Sequence, residues 1–75
     1  RKGRDIERRV LAEAVRLFRQ AADKGSALAM RNLAIMYETG QGARADRKAA
    51  IDWYRKAAAA GDAASRDELA RLGVN

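Results

Sequence analysis

Few residues in this chain could do chemistry. It has no histidine and no cysteine, so the commonest acid–base group, the commonest metal ligand and any thiolate are missing. Without cysteine there is also no disulfide, and the redox compartment stays open. The serines Ser26 and Ser65 have no base partner nearby in sequence, as nucleophilic catalysis would require. The carboxylates occur mainly beside basic neighbours. Asp52, for example, is three and four residues from Arg55 and Lys56, the spacing of a solvent-side helical ion pair. Gly40-Gln41-Gly42 could suggest a phosphate loop, but no strand pattern precedes it and no Lys-Ser/Thr follows. A turn needing positive φ twice explains it better. Trp53 could stack on a ligand, yet it lies on an apolar helical stripe and reads as core. Catalytic, cofactor-binding and metal-ligating residues are therefore all assigned as none, and the chain is expected not to be an enzyme.

Charge is the other functional signal. Sixteen basic and ten acidic residues leave a net charge of +6 over 75 residues. Residues 1–9 hold Arg1, Lys2, Arg4, Arg8 and Arg9 against Asp5 and Glu7. This segment reads as a solvated basic lead-in that becomes helix near Asp5. A basic arm for nucleic acid or an anionic surface is the alternative. Against it, the segment has no aromatic residue and the remaining cations are spread over several faces.

The elements that position these residues are helical. The chain has no proline and is rich in Ala, Arg and Leu, which favours helix. With 48% apolar residues it is not a disordered sequence. Val10, Leu11, Ala14, Val15, Leu17, Phe18, Ala21 and Ala22 recur at spacings of three and four, as in one face of a helix. Gly25 stops that helix and Ser26 can cap the next. The second helix runs about 27–39, with Ala29, Met30, Leu33, Met36 and Tyr37 toward the core and Arg31, Asn32 and Glu38 away from it. Asp46 caps a third helix at about 47–60, whose stripe is Ala50, Trp53, Tyr54, Ala57 and Ala58. Gly61-Asp62 repeats the stop and cap before a fourth helix at about 63–72.

The chain copies itself. A shift of 36 residues places Ala14 on Ala50, Arg19 on Arg55, Ala21-Ala22 on Ala57-Ala58, Gly25 on Gly61 and Leu33-Ala34 on Leu69-Ala70. Leu17-Phe18 falls on Trp53-Tyr54. A period in the thirties belongs to stacked helical hairpins, where each unit buries its apolar face on the next. The expected architecture is all-α: about two repeat units, four helices, stacked as antiparallel hairpins. It divides into the lead-in (1–9), the second helix of a partial repeat (10–25), a full repeat (26–61) and a terminal capping helix (62–75), all in one domain (1–75). The first helix lacks its own hairpin partner within the chain. Ile6, Val10, Leu11 and Val15 are therefore expected to form an association surface, for a partner protein or for self-association. The chain has no initiator Met, signal-type run or long apolar span, and reads as a piece of a longer protein.

The series Ala29, Leu33-Ala34, Tyr37, Gly40-x-Gly42, Asp46, Ala50, Trp53-Tyr54, Ala57-Ala58, Gly61 resembles the Sel-one-like repeat, a relative of the tetratricopeptide repeat. The resemblance covers one full repeat and a helix on either side. Departures are Ala34 and Ala70 for Gly, Ala43 for Val, Ala49 for Lys and, most marked, Gly73 where the repeat has tyrosine. The resemblance implies a right-handed α-solenoid acting as a non-catalytic adaptor for a protein or peptide. Such proteins are common in bacteria, in the cell envelope, periplasm or cytoplasm. By position it implies a concave binding face lined by the first helix of each unit: Leu28, Arg31, Ile35 and Glu38, then Ala64, Asp67 and Arg71.

Overall fold

The computed structural model describes residues 2–74. Arg1 of the lead-in and Asn75 of the terminal segment lie outside the described residues. Four helices and no strand are present among the described residues: α1 (Lys2–Asp23), α2 (Ala27–Thr39), α3 (Arg47–Ala59) and α4 (Ala63–Arg71). Each packs on its neighbours in sequence, and short turns make consecutive helices antiparallel. The result is an elongated stack of 41 × 26 × 16 Å.

Helix α1 starts at Lys2, earlier than the lead-in reading placed it. The sequence gives the reason. Residues 2–9 have no proline and one glycine, Asp5 sits in the first turn where the helix dipole favours an anion, and Asp5 and Arg9 stand one turn apart. Residues 3–9 of the basic segment are therefore the exposed first part of a 22-residue helix.

The turns are built by one device used three times. At the end of α1, Gly25 N–H donates to Ala22 O and Ser26 N–H to Ala21 O, with φ 97° at Gly25. The end of α3 repeats it with Gly61 to Ala58 O and Asp62 to Ala57 O, at φ 104°. The end of α4 repeats it again with Gly73 to Ala70 O and Val74 to Leu69 O. This is the paired-bond helix stop that glycine permits. Gly73 thus halts α4 at the register where α2 continues through Tyr37, which makes α4 the shorter helix. Ser26, Asp46 and Asp62 then cap α2, α3 and α4, each side chain accepting from the backbone N–H three residues on.

Two apolar clusters hold the stack. Ala22, Ala29 and Leu33 join α1 to α2, with Val15, Phe18, Ala21 and Met30 around them. Ala34, Ala50, Tyr54 and Leu69 join α2, α3 and α4. Tyr37 and Trp53 touch both clusters and make the core continuous. Trp53 is half-buried, with Lys56 Nζ 4.4 Å from its ring centroid. The large side chains wholly enclosed are Tyr54 and Leu33. The small residues at Ala34, Ala50 and Ala57, all at 0% exposure, let the helix backbones approach closely.

Candidate functional site

The seven-residue spacing of Leu28 and Ile35 on α2 puts them in one line along the helix, and Ala64 and Arg71 make the matching line on α4. Leu28 is 56% exposed. Ile35 is half-buried against the cluster of Ala34, Ala50, Tyr54 and Leu69 that joins α2, α3 and α4, and its carbonyl accepts from Thr39 Oγ1 at 2.8 Å. Asp67 and Ala64 are exposed on α4.

Arg31 and Glu38 do not simply point to solvent. Both tie α2 to α4. Arg31 Nε lies 2.9 Å from Asp62 Oδ2, but its N–H is not aligned on that oxygen, so this is a charge contact rather than a hydrogen bond. Glu38 accepts from Tyr54 Oη at 2.9 Å and from Arg71 at 2.6 Å. Arg71 also donates to Glu68 at 2.7 Å. The Arg71 guanidinium holds the Glu38 carboxyl below its ordinary range, against the opposing effect of burial. The hydroxyl and backbone N–H of Ser65 likewise hold the Asp62 carboxyl low, with Arg31 adding to the effect.

This arrangement is poor for catalysis and good for holding a shape. Glu38 has both oxygens engaged, and Ser65 spends its hydroxyl on Asp62 within a buried cap. No cluster of carboxylates suited to a metal ion occurs among the described residues. What remains open along α2 and α4 is an apolar line at Leu28 and Ile35, flanked by two ion pairs and the exposed carboxylate of Asp67.

The predicted α1 surface is split. Ile6 and Val10 are 62% and 61% exposed. Val15 instead packs into the α1–α2 cluster. Leu11 is half-buried, and its backbone lies against the loop at Gly42. Leu17, read as part of the core stripe, is 49% exposed and belongs with Ile6 and Val10. Sequence reading also missed Asp62 as the partner of Arg31 and the Tyr54 hydroxyl as the partner of Glu38. Residue spacing within one helix carries no signal for either contact, since each bridges two helices. No helix among the described residues is long and apolar enough to cross a membrane.

The model of the Sel1 repeat family matches residues 1–26 and 27–62. No curated protein matches the sequence. Among solved structures, a Sel1 repeat protein from Oxalobacter formigenes is similar at 37% identity with a TM-score of 0.78. The match covers 83% of this chain and 18% of that one, so the chain spans under a fifth of its neighbour's length. The helical hairpins, their glycine stops and the matched repeats agree: the chain belongs to the Sel1 repeat family.

Proposed function

We propose that this chain is a non-catalytic scaffold that binds a protein or peptide along the face lined by α2 and α4. Sel1 repeats generally serve as protein-interaction scaffolds. The observation that carries the finer reading is the exposure of Leu28 in line with Ile35, on a helix whose flanking charges are already held by α4. A surface fixed in this way presents an apolar line without having to order long side chains on binding. Leu28, Ile35 and Asp67 would contact the ligand directly. Arg31, Glu38 and Arg71 would hold the shape of this face and offer their remaining donors and acceptors at its edge. A separate surface for self-association is proposed on α1, centred on Ile6 and Val10.

The test is selection of peptide ligands from a displayed library on the immobilised chain, followed by titration in solution. Leu28→Asp should weaken selected ligands at least tenfold while the helical circular dichroism is unchanged. The log–log dependence of affinity on salt should have a slope between about zero and −2. The competing reading uses the cations on the outer faces, among them Arg8, Arg9, Lys48 and Arg55, to bind nucleic acid or an anionic surface. Tight binding of labelled single-stranded RNA with a slope steeper than about −5, unaffected by Leu28→Asp, would favour it.

A further inference from the structure

The two copies of the repeat differ in how they treat one arginine. In the first copy Tyr37 is half-buried and touches both apolar clusters, and Arg19 donates to its hydroxyl at 2.7 Å. A shift of 36 residues carries Leu11, Ala12, Val15 and Arg19 of α1 to Arg47, Lys48, Ile51 and Arg55 of α3, and Tyr37 to Gly73. The cation is kept and the phenol is lost. At Gly73 even a Cβ would meet nothing within 4 Å.

The counterparts of Val15 and Arg19 instead line an open cleft of about 470 Å³, bounded by Arg47, Lys48, Ile51, Asp52, Arg55 and Val74. Ile51 and Val74 are half-buried against the cluster of Tyr54 and Leu69, and give the cleft an apolar floor. Its rim is charged and exposed. Arg47 donates to Leu72 O at 2.9 Å, which ties the rim to the end of α4. Three cations stand there against the single carboxylate of Asp52.

We propose that this cleft binds a tyrosine side chain from an acidic segment of a partner protein, with Arg55 donating to the tyrosine hydroxyl as Arg19 does to Tyr37. The site is separate from the face lined by α2 and α4. The first copy supplies the argument for the ring, since it shows what this cation holds when a phenol is present. The excess of positive charge supplies the argument for acidic neighbours. The chain's own loop is a worse occupant. On α1 that loop lies on apolar ground, where a Cβ at Gly42 would overlap Leu11 and meet Val15. Arg47 and Lys48 replace Leu11 and Ala12 in the second copy, which suits an anion rather than an uncharged loop. The path also differs. Gly73 stops α4 a turn before the register at which Gly40 ends α2, and Val74 turns back onto the cluster.

The probes are peptides of sequence Glu-Glu-Leu-Tyr-Glu-Glu and the same sequence with phenylalanine for tyrosine, titrated into the ¹⁵N-labelled chain. The tyrosine peptide should shift the amides of residues 47–55 and Val74, and bind about tenfold tighter than the phenylalanine peptide, as loss of a hydrogen bond to a charged group implies. Arg55 is exposed, so Arg55→Ala should keep the wild-type thermal midpoint and bind both peptides equally. Leu28→Asp should leave both affinities unchanged. An absence of shifts at millimolar peptide overturns the proposal, and so does a tyrosine preference that survives Arg55→Ala. Shifts of these amides by single-stranded RNA but not by the peptides would assign the cleft to nucleic acid and equally overturn it. Loss of both affinities in Leu28→Asp would place the peptide on the α2–α4 face instead.

Discussion

Tyr54 and Glu38 share a hydrogen bond of 2.9 Å from the phenol of α3 to a carboxylate oxygen of α2, and the second carboxylate oxygen takes Arg71 of α4 at 2.6 Å. One side chain thus joins three helices. Tyr54 is wholly enclosed, so its hydroxyl needs a partner, and Glu38 supplies one at the edge of the core. Removing the hydroxyl by Tyr54→Phe should cost about 1.5–3 kcal/mol, the range for a hydrogen bond to a charged group. Urea unfolding of both forms measures it. The midpoint should fall without a change in slope, because the amount of surface exposed on unfolding is the same.

The same phenol should make the fold sensitive to base. Burial, reinforced by the hydrogen bond to Glu38, pushes Tyr54 up to about 12 from an ordinary value near 10. The unfolded chain then loses that proton at lower pH than the folded chain. The contribution is complete below about pH 10 and disappears as the pH rises toward 12. Relative to wild type, Tyr54→Phe should regain stability across this window, which urea midpoints at pH 9, 10 and 11 would follow.

Glu38 should act at the acid end. Its carboxyl is held low chiefly by Arg71. A depressed carboxylate contributes stability above its unfolded value and loses it as the pH falls through the folded one. Glu38→Gln should therefore be less stable than wild type at pH 7, with the difference closing below the ordinary carboxylate range. Both partners are partly solvated, with 24% and 51% side-chain exposure, so the effect is modest. Amide exchange should localise it. The amides of α4 should exchange faster in Arg71→Ala, while those at the α1–α2 contact keep their protection.

The helices were legible because their signals are local. Gly25 and Gly61, followed by Ser26 and Asp62, announce a stop and a cap in the order the chain uses them. The 36-residue shift lays α1 on α3 and α2 on α4. What lay beyond reach depends on contacts between helices. Glu38 is polar and lies off the apolar stripe, so it reads as solvent-facing, yet the adjacent helix brings the Tyr54 hydroxyl to it. Leu17 shares the stripe with Phe18 but not its burial, since periodicity gives a face and not what covers it. Gly73 reads as a lost tyrosine, and its positive φ and paired backbone bonds make it a helix stop. The candidate binding face was placed by family resemblance. Its tie to α4 through Asp62 and Arg71 came from the structure.

The neighbouring aromatics Trp53 and Tyr54 should respond differently to truncation. Trp53 is half-buried and bridges both clusters, whereas Tyr54 is at 0% exposure. Tyr54→Ala should reach the roughly 3–5 kcal/mol typical of a lost core aromatic, close to the whole stability of a domain of this size. Trp53→Ala should cost less and leave a folded chain. Circular dichroism melts would show the order. A Trp53→Ala chain that is unfolded at 25 °C while Tyr54→Ala still melts cooperatively would reverse it.

Gly42 separates two reasons for needing glycine. Gly61 and Gly42 both have positive φ, 104° and 73°. A Cβ at Gly61 would meet nothing within 4 Å, so Gly61→Ala should cost about 1–2 kcal/mol for the left-handed backbone alone. A Cβ at Gly42 would overlap the backbone carbonyl of Leu11 and come within 2.9 Å of Val15 Cγ2. Neither neighbour can give way freely: one is helix backbone and the other packs into the α1–α2 cluster. Gly42→Ala should therefore cost clearly more than Gly61→Ala, and its damage should fall on α1. Amide exchange from Leu11 to Val15 should rise in Gly42→Ala and stay at the wild-type level in Gly61→Ala. Equal destabilisation by the two substitutions, with α1 equally protected in both, would mean that the loop does not bear on α1 in solution.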